Sequence, residues 1–130
     1  MIVIGYSADR YGAAALEAGI AEARWRQTAI RVINATSGQA YVDPRFARSG
    51  QIVDLATHLA ETGVPFEVHQ PVGVDVVEEL LEAMDHPGAE LLVIGIRHRN
   101  PVGKLLMGSA AQQLILECPK PVLAVKPDED

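Results

Sequence analysis

The 130-residue chain has little cysteine and no excess of basic residues. Its single cysteine, Cys118, excludes an internal disulfide and fits a reducing compartment such as the cytoplasm. Eleven Lys and Arg residues stand against 17 Asp and Glu residues, which gives a net charge of −6. Nucleic-acid binding draws much of its affinity from a basic face. We therefore expect a cytoplasmic protein without a nucleic-acid partner.

Long apolar runs, internal repeats and low-complexity tracts are also missing from the sequence. No stretch approaches the ~20 apolar residues of a membrane helix, and no charged segment precedes an apolar one at the N-terminus. Because Met1 leads directly into a strand pattern, we expect neither a membrane partner nor a targeting segment. Apolar residues make up 48% of the chain, enough for one domain over residues 1–130 to bury a core without a disulfide or metal.

What the sequence does contain is a regular alternation of strand and helix patterns. Short runs of branched apolar residues predict strands, and apolar residues at helical spacing between them predict helices. Gly63 follows one helix pattern as a C-terminal glycine, and Asp75 with Glu78 forms a capping box before another. The predicted strands are residues 2–6, 29–35, 65–70, 91–96 and 122–125, and the helices are residues 12–27, 52–59, 76–84 and 108–117.

This alternation, with short connections, predicts a doubly wound α/β fold. Right-handed crossovers between strands produce a parallel sheet with helices on both faces. Residues 65–70 alternate in polarity and begin with a proline, which is typical of a strand near the sheet edge.

The stretch from residue 91 to residue 111 is the segment best suited to hold a ligand. A buried strand ends at Gly95, and Gly108-Ser109 opens a helix. Ligands of open α/β sheets bind beyond the carboxyl ends of strands, and a helix start suits an anion such as phosphate. Gly95 would let a ligand approach the backbone. The alternative is that both glycines only permit tight turns.

Four cations lie in the loop between those glycines. Arg97 and Arg99 could bind phosphate through two parallel hydrogen bonds, and Lys104 as a point charge. Their alternative interpretation is a solvated loop. The fourth, His98, is the only one of the four histidines to which we assign a functional interpretation. The histidines fall on separate elements without paired ligand spacing, so no metal site is expected.

Gly95, followed after twelve residues by Gly108-Ser109, resembles the nucleotide loop of the universal stress protein family. That family's pattern is Gly, two residues, Gly, nine residues and Gly-Ser or Gly-Thr. The opening IVIGYSAD and the closing PVLAVKP extend the resemblance over essentially the whole chain. It implies an adenine nucleotide alpha-hydrolase-like, Rossmann-like fold with strand order 3-2-1-4-5. It also implies ATP, possibly with Mg²⁺, bound by Ser7, Ile33, Gly95, Arg97, His98, Gly108, Ser109 and Ala110.

Two positions depart from the family's ATP-binding pattern. Ser7 stands where those members usually have Asp, and His98 stands at the second Gly. These departures favour an alternative, in which the chain does not bind nucleotide and serves as a dimeric interaction module. A third hypothesis, an enzyme with His98 as its acid or base, ranks last. No catalytic residue is assigned, and at most weak ATP hydrolysis is expected.

The remaining expectations concern the second strand, the loop after it and the last strand. The side chains of Val32, Ile33 and Asn34 are interpreted as ordinary core near the base of a nucleotide, and Asp43 as a solvated loop carboxylate. The last strand, with Val122, Leu123, Ala124 and Val125, is an unpaired apolar edge. It predicts a homodimer in which the two copies pair antiparallel across a two-fold axis, as the family commonly does.

Overall fold

A computed structural model of the chain describes residues 1–38, 42–97 and 108–128. Five strands lie in one parallel sheet of order β3-β2-β1-β4-β5, which confirms the predicted fold class and strand order. The elements in chain order are β1 Ile2–Gly5, α1 Arg10–Arg26, β2 Ile30–Ile33, α2 Ser49–Thr62, β3 Phe66–His69, α3 Val76–Asp85, β4 Leu91–Gly95, α4 Ser109–Glu117 and β5 Val122–Val125.

Most strand bounds are one or two residues shorter than predicted, although the hydrogen-bond ladder continues past them. Tyr6 N–H donates to the Ile33 carbonyl at 3.0 Å, and Asn34 N–H donates to the His69 carbonyl at 2.9 Å. Helix α1 begins two residues earlier than predicted, because Asp9 supplies the cap at its start.

Helices on both faces bury the sheet. On one face α1 and α2 cover alternate residues of the central strands, including Ile2, Ile4 and Val32, which are fully buried. On the other face α3 and α4 cover Val3 and Leu92. This division follows from the period of two along each strand, which sends successive side chains to opposite faces.

Strand β3 forms one edge of the sheet and shows the predicted alternation. Phe66 and Val68 pack against the core beneath α1 and α2, whereas Glu67 and His69 are exposed on the opposite face. Burial on one face only explains why this strand alternates while the central strands are continuously apolar.

The sheet order places a crevice between strands β1 and β4. Connections from β1 lead toward β2 on one side, and connections from β4 lead toward β5 on the other. The loops at their carboxyl ends therefore diverge, which opens the switch-point crevice where ligands of such sheets bind.

Candidate functional site

Two adjoining cavities occupy this switch-point crevice. The outer cavity, of about 480 Å³, lies between the turn after β1, the end of β4 and the start of α4. The inner cavity, of about 180 Å³, continues from it between the sheet and helices α3 and α4. Seven of the eight residues predicted to bind a nucleotide line one or both cavities, and His98 lies outside the described residues. The seven are Ser7, Ile33, Gly95, Arg97, Gly108, Ser109 and Ala110.

The two cavities differ in polarity. The outer cavity is lined by charged and hydroxyl side chains and by the first residues of α4. The inner cavity is lined mainly by apolar side chains such as Ile33, Val76 and Leu80. Burial, and then the charge of Asp9, raises the pKa of Tyr6, so the Tyr6 side chain, which packs against the core beneath α1 and α2, is neutral at physiological pH. The crevice therefore combines a polar mouth with an apolar floor.

The start of α4 presents uncapped backbone donors to the outer cavity. Gly108 is the N-cap residue and supplies no side-chain hydrogen bond. The N–H groups of Ser109, Ala110 and Ala111 donate no hydrogen bond to any residue within the described ranges. Orphan N–H groups and the positive end of the helix dipole make such a start attractive to an anion.

A turn that requires glycine does not explain Gly108. Its φ of −62° and ψ of 155° are open to any residue, so the tight-turn interpretation is wrong here. A Cβ built at this position would meet nothing within 4 Å among the described parts of the chain. As far as the described residues go, the space beside Gly108 is therefore open.

At Gly95, unlike at Gly108, close packing within the chain requires a glycine. A Cβ at Gly95 would overlap the backbone of Tyr11 in the first turn of α1. Close packing of α1 against the end of β4 therefore already requires glycine here, and access of a ligand to the backbone stays a prediction. Gly95 positions the crevice wall by this contact.

The start of α1 also faces the outer cavity, but it is closed by a carboxylate. Asp9 Oδ1 accepts from Gly12 N–H at 3.0 Å and from the Ser7 hydroxyl at 2.7 Å. Asp9 was identifiable from sequence as a capping residue but not as a crevice residue. Because Ser7 donates its proton to Asp9, its oxygen faces the cavity as a hydrogen-bond acceptor.

Asn34 is a buried polar hub, so its interpretation as an ordinary core side chain is wrong. It is 1% exposed, and its Nδ2 donates to the carbonyl oxygens of Tyr6 at 2.9 Å and Arg45 at 3.0 Å. Its Oδ1 accepts from Ala47 N–H at 2.7 Å and from Gln70 Nε2 at 3.0 Å. All four hydrogen-bonding positions of the amide are used. Asn34 thereby ties the loop before α2 to the ends of three strands.

Asp43 belongs to the same loop and is not the solvated carboxylate expected from sequence. Its Oδ2 accepts from the hydroxyl of buried Thr36 at 2.6 Å, and its Oδ1 accepts from Arg45 N–H at 3.0 Å. The Thr36 hydrogen bond, more than the Arg45 N–H and charge, holds the pKa of Asp43 below its usual value against the opposing effect of burial. Asp43 acts as a brace of the loop.

Arg45 is the crevice residue that the sequence did not reveal. Its carbonyl oxygen accepts from Ala8 N–H at 2.9 Å as well as from Asn34, so its backbone is fixed beside the turn after β1. The exposed side chain lines both cavities. The available signal was an arginine in the loop after β2, which neighbours β1 in the sheet.

A larger groove of about 560 Å³ lies elsewhere, between strands β2 and β3 and helix α3. Two side chains that line it, Arg31 and His69, lie beside the carboxylate of Glu67, whose Oε2 is 2.8 Å from His69 Nε2 and 3.3 Å from Arg31 Nε. The His69 hydrogen bond, and then the Arg31 charge, lower the pKa of Glu67. Because acidic Glu79 and Glu82 also line this groove and no helix start opens into it, it suits an anion less well than the crevice.

Within residues 1–38, 42–97 and 108–128, no cluster of His, Cys, Asp and Glu side chains is arranged to hold a metal ion. In those same ranges, no helix has the length and apolar character that crossing a membrane would require.

The fold and the crevice together define an α/β protein with a ligand cleft at the switch point of a parallel sheet. Residues 1–126 match the model of the universal stress protein family, and the chain belongs to that family. It is 72% identical over 127 residues to a universal stress protein of Mycolicibacterium smegmatis, and the match covers 98% of each chain.

Solved structures agree with the fold. A universal stress protein from Archaeoglobus fulgidus superposes with a TM-score of 0.77 and 28% identity, covering 96% of this chain and 97% of that one. A universal stress protein from the same organism, solved in complex with dAMP, has a TM-score of 0.63 and 22% identity over 96% of this chain and 95% of that one. The second likeness, at this identity, supports the fold alone.

Proposed function

We propose that the chain binds adenine nucleotides, ATP in particular, in the switch-point crevice and acts as a homodimeric stress-response protein of the cytoplasm. The observation that carries this proposal is the uncapped start of α4, which opens into a cavity lined by Arg45 and Arg97. Cationic side chains and free backbone N–H groups are the partners that phosphate oxygens prefer.

The polarity of the crevice also matches a nucleotide. A base and ribose would occupy the apolar inner cavity beside Ile33, and the phosphates would lie in the outer cavity on Gly108 and Ser109. A mostly apolar site with a few convergent polar groups is the usual form of a small-molecule site. A member of the same family, the universal stress protein from Archaeoglobus fulgidus, was solved in complex with the adenine nucleotide dAMP, and this shared membership supports the proposal.

Magnesium would enter this site together with ATP. Asp9 is the carboxylate that lines the outer cavity, and its Oδ1 already serves the start of α1. Since Mg²⁺ is commonly held by phosphate oxygens and water, with one or two carboxylates at most, we assign it no dedicated ligand set in the protein.

Calorimetric titration with ATP and Mg²⁺ tests the proposal, with Gly108→Val as the blocking variant. The backbone at Gly108 is extended and has φ of −62°, so valine fits without backbone strain while its side chain covers the approach to the N–H groups. Gly50→Val is the matched control, because Gly50 lies in the first turn of α2 with open space around it. Saturable heat in the wild type and Gly50→Val, lost in Gly108→Val, supports nucleotide binding.

A second candidate, a dimeric interaction module without nucleotide, is favoured by the hydrogen bond from Ser7 to Asp9. This bond uses the Ser7 proton. Because residue 7 is a serine, it also supplies no carboxylate to receive a ribose or base. If the wild type gave no heat at millimolar ATP, the nucleotide-binding proposal would be overturned and the interaction module would be the function that remains. Phosphate release above background in the same mixture would instead indicate hydrolysis.

The proposed dimer pairs β5 of one copy with β5 of a second copy. Within the described sheet β5 pairs with β4 alone, and its four residues are half-buried. The carbonyls of Pro121 and Val125 face β4, so by alternation the backbone groups of Ala124 face outward.

An Ala124→Pro variant tests this pairing. It would remove an outward N–H without removing a bond to β4, and proline is tolerated on edge strands. We expect the wild type to sediment as a dimer at micromolar concentration and Ala124→Pro as a monomer. A monomeric wild type would contradict the dimer without bearing on nucleotide binding.

A further inference from the structure

Arg45 stands at the junction of the two cavities. Among the described residues, the outer and inner cavities share few side chains longer than alanine, and Arg45 is the only cation of that shared set. Arg97, by contrast, lines the outer cavity alone. The two arginines therefore face different parts of one elongated site.

The position of Arg45 is built into the fold. Its carbonyl oxygen accepts from Asn34 and Ala8, and its N–H donates to Asp43, so two other segments and its own loop hold its backbone. Its guanidinium donates no hydrogen bond to another residue within the described ranges, and Asp43 influences it through charge alone. A fixed backbone, with a guanidinium that no residue in the described ranges accepts from, is suited to binding an anion in the crevice.

We propose that Arg45 binds the first phosphate of a nucleotide, the one attached to the ribose, and that Arg97 binds the phosphates beyond it. This assignment rests on the proposed function, because it presumes a base in the inner cavity and a phosphate chain in the outer one. The phosphate nearest the ribose must then lie where the cavities meet, within reach of Arg45.

The assignment predicts a pattern across ligands of increasing phosphate number. Arg45→Ala should weaken binding of AMP and of ATP by the same factor, about tenfold, because the lost partner is a charge-assisted hydrogen bond to a phosphate that both ligands have. Adenosine, which has no phosphate, should bind Arg45→Ala and the wild type equally. Arg97→Ala should weaken ATP by about tenfold and AMP by much less.

The matched control is Arg48→Ala. Arg48 is an exposed arginine three residues further along the same loop, and it lines neither cavity. Both substitutions remove one positive charge and leave the backbone contacts of the loop in place. A loss specific to Arg45→Ala therefore reports a contact rather than the net charge of the protein.

Dissociation constants from calorimetry, with adenosine, AMP and ATP as probes, decide the assignment. Equal weakening of AMP and ATP in Arg45→Ala, with Arg48→Ala unchanged, supports it. Three results would overturn the assignment and leave the proposed function standing. They are wild-type affinity of Arg45→Ala for AMP and ATP, an equal loss of affinity for adenosine, and the same loss of affinity in Arg48→Ala. A wild type that binds none of the probes would overturn both.

Discussion

The starts of α1 and α4 face the same crevice, but only the start of α1 is capped by a side chain of the protein. At α1 the carboxylate of Asp9 accepts a backbone hydrogen bond and closes the start. At α4 the cap is Gly108, which offers no side chain and leaves open space among the described residues. Both helix starts carry the positive end of a helix dipole. The difference is that a carboxylate of the protein occupies the start of α1, whereas none is supplied by the cap residue of α4. The open start is the one that can take a ligand.

The same contrast holds for α3. Asp75 accepts from Glu78 N–H at 3.0 Å, so that helix is also capped by a carboxylate. A helix start alone therefore says little about binding. What distinguishes α4 is the missing cap together with the arginines that line the cavity in front of it.

The largest expected effect comes from closing the open start. Gly108→Asp would place a carboxylate where Asp9 stands on α1, and it should weaken ATP binding by roughly a hundredfold or more, since backbone donors are occupied and a negative charge is added. The same substitution should raise the free energy of unfolding slightly, because Asp is a better N-cap than Gly by a few tenths of a kcal/mol. Calorimetry and urea unfolding measure the two effects. Unchanged ATP affinity would show that the α4 start does not hold the phosphates.

The next effect concerns Asn34, which holds the loop before α2 against the ends of the strands. Asn34→Leu keeps the branched shape of the side chain, although leucine is larger, and leaves buried partners of the amide, such as the Ala47 N–H and Gln70 side chain, without hydrogen bonds. We expect the free energy of unfolding to fall by about 2–4 kcal/mol, because each unsatisfied buried group costs about 1–3 kcal/mol. The midpoint of urea unfolding checks this. The comparison is Gln51→Leu, which removes an exposed side chain whose oxygen accepts, within the described residues, only the cap bond from Arg48 N–H. A change below 0.5 kcal/mol, roughly the range of ordinary surface substitutions, would mean that Asn34 does not support the loop.

Opening the closed start should have a smaller effect. Asp9→Ala removes the cap of α1 and the partner of the Ser7 hydroxyl. We expect a loss of about 1 kcal/mol in the free energy of unfolding, the typical cost of removing an N-cap side chain. Asp9→Asn should retain most of that stability, since the amide oxygen can still accept from Gly12. Equal stability of Asp9→Ala and the wild type in urea would contradict the role of Asp9 as a cap.

The smallest effect is a pH dependence at the loop that carries Arg45. The folded protein lowers the pKa of Asp43, so the folded state binds fewer protons at this group than the unfolded chain does. Its contribution to stability is therefore present above the usual Asp pKa of about 4 and is lost as the pH falls through the lower folded pKa. Asp43→Asn should be less stable than the wild type at pH 7, and the gap should narrow below about pH 4. A gap that stays constant from pH 7 to pH 2 would contradict this account.

The fold could be predicted because its main determinants are local. Continuous apolar runs such as Leu91–Gly95, alternation over β3 and the cap at Asp75 each identify an element without reference to distant residues. Short connections between these elements then leave few topologies to consider.

The site could be predicted only in part, because two of its features depend on long-range contacts. Asn34 bonds to Tyr6, 28 positions earlier, and to Gln70, 36 positions later, and no local pattern indicates that such a side chain is a hub. Arg45 reaches the crevice only because that hub holds its backbone. The close packing at Gly95 could not be predicted either, since its packing partner Tyr11 lies in a distant part of the sequence.

The central claim, that phosphate binds at the open start of α4, is tested most directly by the backbone amide resonances of residues 109–111 during a titration with ATP and Mg²⁺. The account predicts saturable shifts of the Ser109, Ala110 and Ala111 amides, while the capped amides Gly12 and Glu78 move little. Saturable shifts confined to the groove beside Glu79 and His86, with residues 109–111 unmoved, would contradict it.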